Sequence, residues 1–193
     1  MNNEVSVTGV EFAAFDFETT GLHSAVDRIV EFGAVRFRGS EITAEFCMLV
    51  NPGIPIGAEA GAVSGITDAD VIAAPSVDSV LPSFIEFLGD SVLMAHNAPF
   101  DLGFLRFAVQ SAGLPEIRNQ VIDTQLLAMT AFPRRQSYAL QNLAIELKLA
   151  RNRAHRAKDD AEICMKLFLA SVEALSFMGD LQLAEVLTGP QKR

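Results

Sequence analysis

Residues 10–50 read VEFAAFDFETTGLHSAVDRIVEFGAVRFRGSEITAEFCMLV. Three short runs within them are rich in Phe, Val and other apolar residues: VEFAAFDFE at 10–18, RIVEFGAVRFRG at 28–39 and EITAEFCMLV at 41–50. Each has the length of a strand and the residue types that fill a pleated sheet. The second alternates apolar and polar residues, as a half-buried strand does, and Gly39-Ser40 supplies a tight turn into the third. Three consecutive strands joined this way predict an antiparallel meander.

Working outward, NPGIPIGAEAGAVSGITDAD (51–70) is predicted to be a loop with at most one helical turn, because Pro and Gly recur in it. Pro75 suits the first turn of a helix running to Leu88, with Val77, Val80, Leu81, Phe84, Ile85 and Leu88 on one face. SVLMAHN (91–97) reads as a short buried strand, and FDLGFLRFAVQSAG (100–113) as a helix ending near Gly113. VIDTQLLAMTAF (121–132) is a brief strand turning into a helix. SYALQNLAIELKL (137–149) places Leu140, Leu143, Ala144 and Leu147 at helical spacing. AKDDAEICMKLFLASVEAL (157–175) is the longest predicted helix, and the end of the chain, with Gly189-Pro190, reads as a frayed tail. Strands followed by alternating strands and helices imply one α/β domain on a mixed sheet over 1–175, with a tail at 176–193.

A chain of 193 residues that is half hydrophobic and one-fifth charged can bury a core and is not disordered. Its apolar runs stay below the roughly 18–20 residues that a membrane span requires. Met1-Asn2-Asn3-Glu4 has neither a basic flank nor an apolar targeting core, so a soluble, cytoplasmic protein without membrane contact is expected. Cys47 and Cys164 lie in apolar stretches without zinc-ligand spacing and are expected to be buried free thiols. The formal charge, 15 − 24 = −9, argues against a grip on long nucleic acid. That objection eases if acids are grouped around cations, since four carboxylates and two Mg²⁺ sum to about zero.

Three segments carry chemistry. In Phe15-Asp16-Phe17-Glu18-Thr19-Thr20-Gly21, the two acids are two apart in a strand and so share a face. They repel unless a cation lies between them; two solvated acids at a strand end would give the same letters. In His96-Asn97-Ala98-Pro99-Phe100-Asp101, Asp101 enters the first turn of a helix, where it also simply complements the helix dipole. In His155-Arg156-Ala157-Lys158-Asp159-Asp160-Ala161, a histidine precedes an acid by one turn and titrates near neutrality, so it can take a proton from water. There too the acids are consistent with dipole compensation.

Together, FDFETTG, HNAPFD and HRAKDDA have the order and rough distances of the three motifs of the DEDDh 3′→5′ exonuclease family. From about Val10 to Leu175 the chain resembles the proofreading epsilon subunits of bacterial DNA polymerase III and their stand-alone relatives. RIVEFGAV, Asp123-Thr124 and Tyr138…Leu140…Leu143 add to the likeness. The resemblance implies a ribonuclease H-like fold with a mixed five-stranded sheet, and two divalent cations, Mg²⁺ or Mn²⁺. It implies Asp16, Glu18, Asp101 and Asp160 as metal ligands and His155 as general base. Thr19, Thr20, Leu22 and Phe100 fall where the family contacts the terminal nucleotide, with His96 and Asn97 beside that pocket. The implied partner is the 3′ end of DNA, with short RNA as the alternative and an inactive binding module of the same fold as a second. One departure stands out: in Val63-Ser64-Gly65-Ile66-Thr67, Ser64 occupies a position that is often histidine in relatives. The chain also ends soon after the last long helix, so a stable polymerase association is not expected. The likeness to proofreading subunits implies a monomer, and that to oligoribonucleases a dimer.

Overall fold

The computed structural model describes residues 7–150, 155–176 and 183–187. Strands β1 (Glu11–Thr19), β2 (Ile29–Arg38) and β3 (Glu41–Leu49) form the antiparallel meander, and β4 (Val92–Ala95) and β5 (Val121–Asp123) extend it in parallel. The sheet order is β3-β2-β1-β4-β5. Helices α3 (Val77–Leu88) and α4 (Ala98–Ser111) cover one face. Helices α5 (Thr124–Ala131) and α7 (Ala157–Leu175) cover the other, with α6 (Leu140–Glu146) against α7. The parallel pairs need helical crossovers, which is why the strand-helix alternation begins after β3.

Alternation along β1 sorts its side chains between the layers. Ala13, Phe15 and Phe17 enter the α3–α4 core, where Phe32 and Phe84 meet at 4.9 Å between ring centroids. Phe12 and Ala14 enter the α7 core with Val35, Phe37 and Phe168. The next residues on that second face are Asp16 and Glu18. Carboxylates thus take over from apolar side chains along one face of one strand.

Five expectations are corrected. Strand β2 is not half-buried: nine of its ten residues are buried or nearly so, because helices cover both its faces and even Glu31 is enclosed. The 51–70 segment holds two short helices, α1 (Ala58–Ser64) and α2 (Asp68–Val71); Gly65 in the left-handed region (φ 72°) ends the first, and a Thr67–Asp70 capping box starts the second. Pro75 lies outside α3, whose N-cap is Ser76 accepting from the Ser79 N–H. Cys164 is buried, but Cys47 is exposed, since β3 is an edge strand with one open face. Within the expected tail, α8 (Leu183–Val186) buries Leu183 and Val186 against the α7 core. Gly189-Pro190 lie outside the described residues. No described helix is long and apolar enough to cross a membrane.

Candidate active site

The site forms where β1 outlasts its neighbour. Strand β4 pairs β1 only as far as Ala14↔Met94 and then turns into α4. The Phe17 N–H, between the two carboxylates of β1, would lack a sheet partner; Asp101 of α4 supplies the acceptor, Oδ1 at 3.1 Å. Asp101 is 2 % exposed, so this bond locks the start of α4 to the end of β1.

On the other face, the start of α7 brings Asp160 to Asp16 and Glu18. One carboxylate oxygen from each lies within 4.8 Å of the others. Asp160 Oδ1 accepts from the Gln141 side-chain amide, which ties α6 to the cluster. Asp159, its neighbour in sequence, is exposed and plays the dipole-compensating part.

The crowding shows in the proton affinities. Burial, then the charges of Asp101, Asp160 and Glu18, hold Asp16 well above the usual carboxylate range. Burial, with Asp160 and Glu31, pushes Glu18 up to about 7, against a lowering by Arg156. Burial raises Asp160 to about 6 although the Gln141 hydrogen bond and His155 oppose it. Asp101 reaches about 8, again chiefly by burial and in spite of its N–H donors. A cation among these groups would favour their ionised forms. The donor set is carboxylate oxygen alone, which suits hard divalent ions such as Mg²⁺ or Mn²⁺ and not thiolate-seeking metals. The residues present therefore fit the metal that the motifs imply.

A cleft of about 700 Å³ opens over the cluster. Asp16, Glu18, Asp160 and His155 line its polar side; Leu22, Val63 and Phe100 line its apolar side. Leu22 is 75 % exposed, a large apolar side chain that no described residue covers. Thr19 and Thr20 also line the cleft, but their hydroxyls brace the turn: Thr19 Oγ1 donates to the Gly21 carbonyl at 2.6 Å, and Thr20 Oγ1 accepts from the Arg28 N–H at 3.0 Å.

Three of the sequence-named residues do not line this cleft. His96 spends both ring nitrogens on Thr124 Oγ1 (3.1 Å) and the Tyr138 carbonyl (2.7 Å), and burial lowers its proton affinity. Asn97 is the left-handed N-cap of α4, φ 62°, with its N–H donating to Asp123 Oδ1 at 3.2 Å. Both shape the α4 entry rather than face substrate space. Asp101 sits behind the cluster on the Phe17 amide. Ser64 turns inward as well, its Oγ donating to the Ala60 carbonyl and accepting from the Ile66 N–H. The serine thus finishes α1 where a histidine could reach outward.

Two residues of the RIVEFGAV segment to which the motifs assign no role also build the site. Glu31 and Gly33 of β2 stand opposite Glu18 and Asp16 in register and receive the first turn of α7. An acid among the apolar and small residues Ile29–Val35 was the available signal.

A five-stranded mixed sheet with a carboxylate cluster where its first strand ends, set under the start of a long helix, defines a nuclease of the ribonuclease H-like fold. Comparison with known proteins agrees. The family model described as "Exonuclease" matches residues 13–168. DNA polymerase III subunit epsilon of Treponema pallidum is 39% identical over 165 residues, 84% of this chain and 77% of that protein. DNA polymerase III PolC-type of Thermotoga maritima is 38% identical over 175 residues, which are 91% of this chain but 13% of that protein. Among solved structures, Exonuclease X in complex with 5′ overhanging duplex DNA superposes with a TM-score of 0.72 at 28% identity, covering 91% of this chain and 98% of that one. The chain belongs to the exonuclease family.

Proposed function

We propose that this protein removes nucleotides one at a time from the 3′ end of DNA, releasing nucleoside 5′-monophosphates. The observation that carries the reading is the convergence of Asp16, Glu18 and Asp160 within 4.8 Å, in a cleft that also holds an exposed histidine and an apolar wall. Asp16, Glu18 and Asp160, with Asp101 behind them, would hold two divalent cations. Bound there, such ions would shield the phosphate, lower the pKa of water and stabilise the leaving 3′-oxygen. The chain's own part is distinct. His155 is an exposed residue that lines the cleft, and it takes the proton of the attacking water. Leu22 and Phe100 offer apolar surface to a base freed from its duplex, a contact worth roughly 1–3 kcal/mol per base.

The charge distribution supports a strand end as the ligand. Residues 134–158 contain seven of the 15 cationic side chains (Arg134, Arg135, Lys148, Arg151, Arg153, Arg156, Lys158) and one of the 24 acids, Glu146. The overall −9 therefore conceals a basic stretch of sequence that contains His155. Arg135, Arg156 and Lys158 of this stretch pair with Glu146, Glu31 and Glu45, and a chain of net charge −9 repels a long duplex, which favours a strand end held at the carboxylate cluster. DNA is favoured over RNA because the similar proteins above 25% identity include a DNA polymerase subunit and an exonuclease solved with DNA.

The test is digestion of end-labelled single strands, DNA and RNA in parallel, with and without Mn²⁺. Mononucleotide release from the 3′ end of DNA, dependent on the cation and faster than from RNA or a paired end, is expected. Release from the 5′ end, or internal cuts, would overturn the reading; faster digestion of RNA would move the substrate to short RNA.

A further inference from the structure

Helix α7 begins without a cap of its own. Its N-cap residue is Arg156, which has no side-chain oxygen to offer the first N–H groups. The acceptor comes from β2: Glu31 Oε2 takes the Ala157 N–H at 3.0 Å, across 126 positions of sequence. The same carboxylate receives Arg156 Nε at 3.1 and 3.0 Å on its two oxygens, and Nη2 closes the fork on Oε1. Glu31 is fully buried while half of the Arg156 side chain is exposed. A buried carboxylate is tolerated only when paired and hydrogen-bonded, and these partners come from the first residues of α7. Gly33, two residues on, lets the helix backbone settle on the sheet. A Cβ there would lie 2.0 Å from the Ala157 carbonyl carbon.

What this arrangement holds is the site itself. His155 is the residue before Arg156, and the Asp160 N–H donates to the Arg156 carbonyl at 3.0 Å. Neither Glu31 nor Arg156 lines the substrate cleft. We propose that Glu31 and Arg156 are positioning residues, a latch between β2 and the start of α7 that sets His155 beside Asp16, Glu18 and Asp160. The planar guanidinium fork fixes direction as well as distance, which a lysine ammonium cannot do. The inference rests on the reading of His155 as the base, and its test separates the two.

Arg156→Ala, Arg156→Lys and Glu31→Gln are to be made in the wild-type and His155→Ala backgrounds. In the wild type, Arg156→Ala lowers kcat by about tenfold to a hundredfold, the scale of a small misplacement of a reacting group, with little change in KM. Arg156→Lys restores part of the loss. In the His155→Ala background, Arg156→Ala costs nothing further, because the group it positions is gone. A wild-type kcat for Arg156→Ala, or losses that multiply with that of His155→Ala, would overturn the latch. Amide exchange of metal-free protein supplies an arm independent of turnover. The Ala157 N–H exchanges at least about tenfold faster in Glu31→Gln and Arg156→Ala, since local opening sets protection. If His155→Ala turns over normally, the base reading falls and this exchange decides the latch alone: unchanged protection in both variants overturns it.

Discussion

The start and the middle of helix α7 rest on the same face of the same two strands and do opposite work. Toward its middle, Phe168 packs on Phe12 and Phe37, with ring centroids 5.0 and 6.2 Å away. At its start, the strand positions that continue this row are Asp16, Glu18, Glu31 and Gly33, and the helix meets them with Ala157 and Asp160. The first contact is dry and gains from burial. The second gathers mutually repelling carboxylates in a half-buried place, which costs stability unless a cation enters. One regular alternation serves both contacts, so stability and activity should respond to different residues a few turns apart.

The largest effect is expected at the polar end. Asp16→Ala should abolish hydrolysis, measured on end-labelled strands, while circular dichroism and the melting profile show a folded protein. His155→Ala should cost on the order of 10²–10⁴ in kcat, as removal of a general base does, with Mn²⁺ binding retained. Unchanged turnover would remove His155 from the chemistry. At the apolar end, Phe168→Ala should lower the unfolding free energy by about 3–5 kcal/mol in urea titration, with activity per folded molecule kept. A loss of activity without loss of stability there would erase the contrast.

The smallest effect is one of pH on the metal-free protein. Asp160, Glu18 and Asp101 rise from ordinary values of 3.8 or 4.5 to about 6, 7 and 8 in the folded chain. Raised carboxyl values mean that the folded state binds protons more tightly than the unfolded one. The stability they contribute is full below about pH 4 and is lost as pH rises through about 6 to 8. The melting temperature without metal should therefore fall between pH 5 and pH 8, and by less in Asp16→Asn. A flat profile would mean that the carboxylates do not repel.

The apolar end was legible in the sequence and the polar end only in part. Helix α7 begins and ends at the expected residues, 157 and 175, because its pattern of small and apolar residues is long and unbroken. The meander was equally plain, since β-rich runs and the Gly39 turn agree with each other. The acids could be named from their motifs, yet their distances could not, because β1, α4 and α7 are brought together only by the fold. The Glu31 cap on α7 spans 126 positions and leaves no local trace beyond an acid among the apolar and small residues 29–35. Short helices α1 and α2 were hidden by Gly57, Gly61 and Gly65, which locally oppose helix and are overridden by Val71 and Ile66 packing on Val30. Cys47 was misjudged because composition does not reveal which strand will stand at an edge.

Calorimetric titration of the metal-free protein with Mn²⁺ at pH 7, in buffers of different ionisation heat, tests the polar end most directly. Saturable binding with release of protons is expected, because cations displace the protons that crowding keeps on these carboxylates, and Asp16→Asn should weaken both. Absence of binding, or binding that Asp16→Asn leaves unchanged, would show that the four acids are neighbours without a common task.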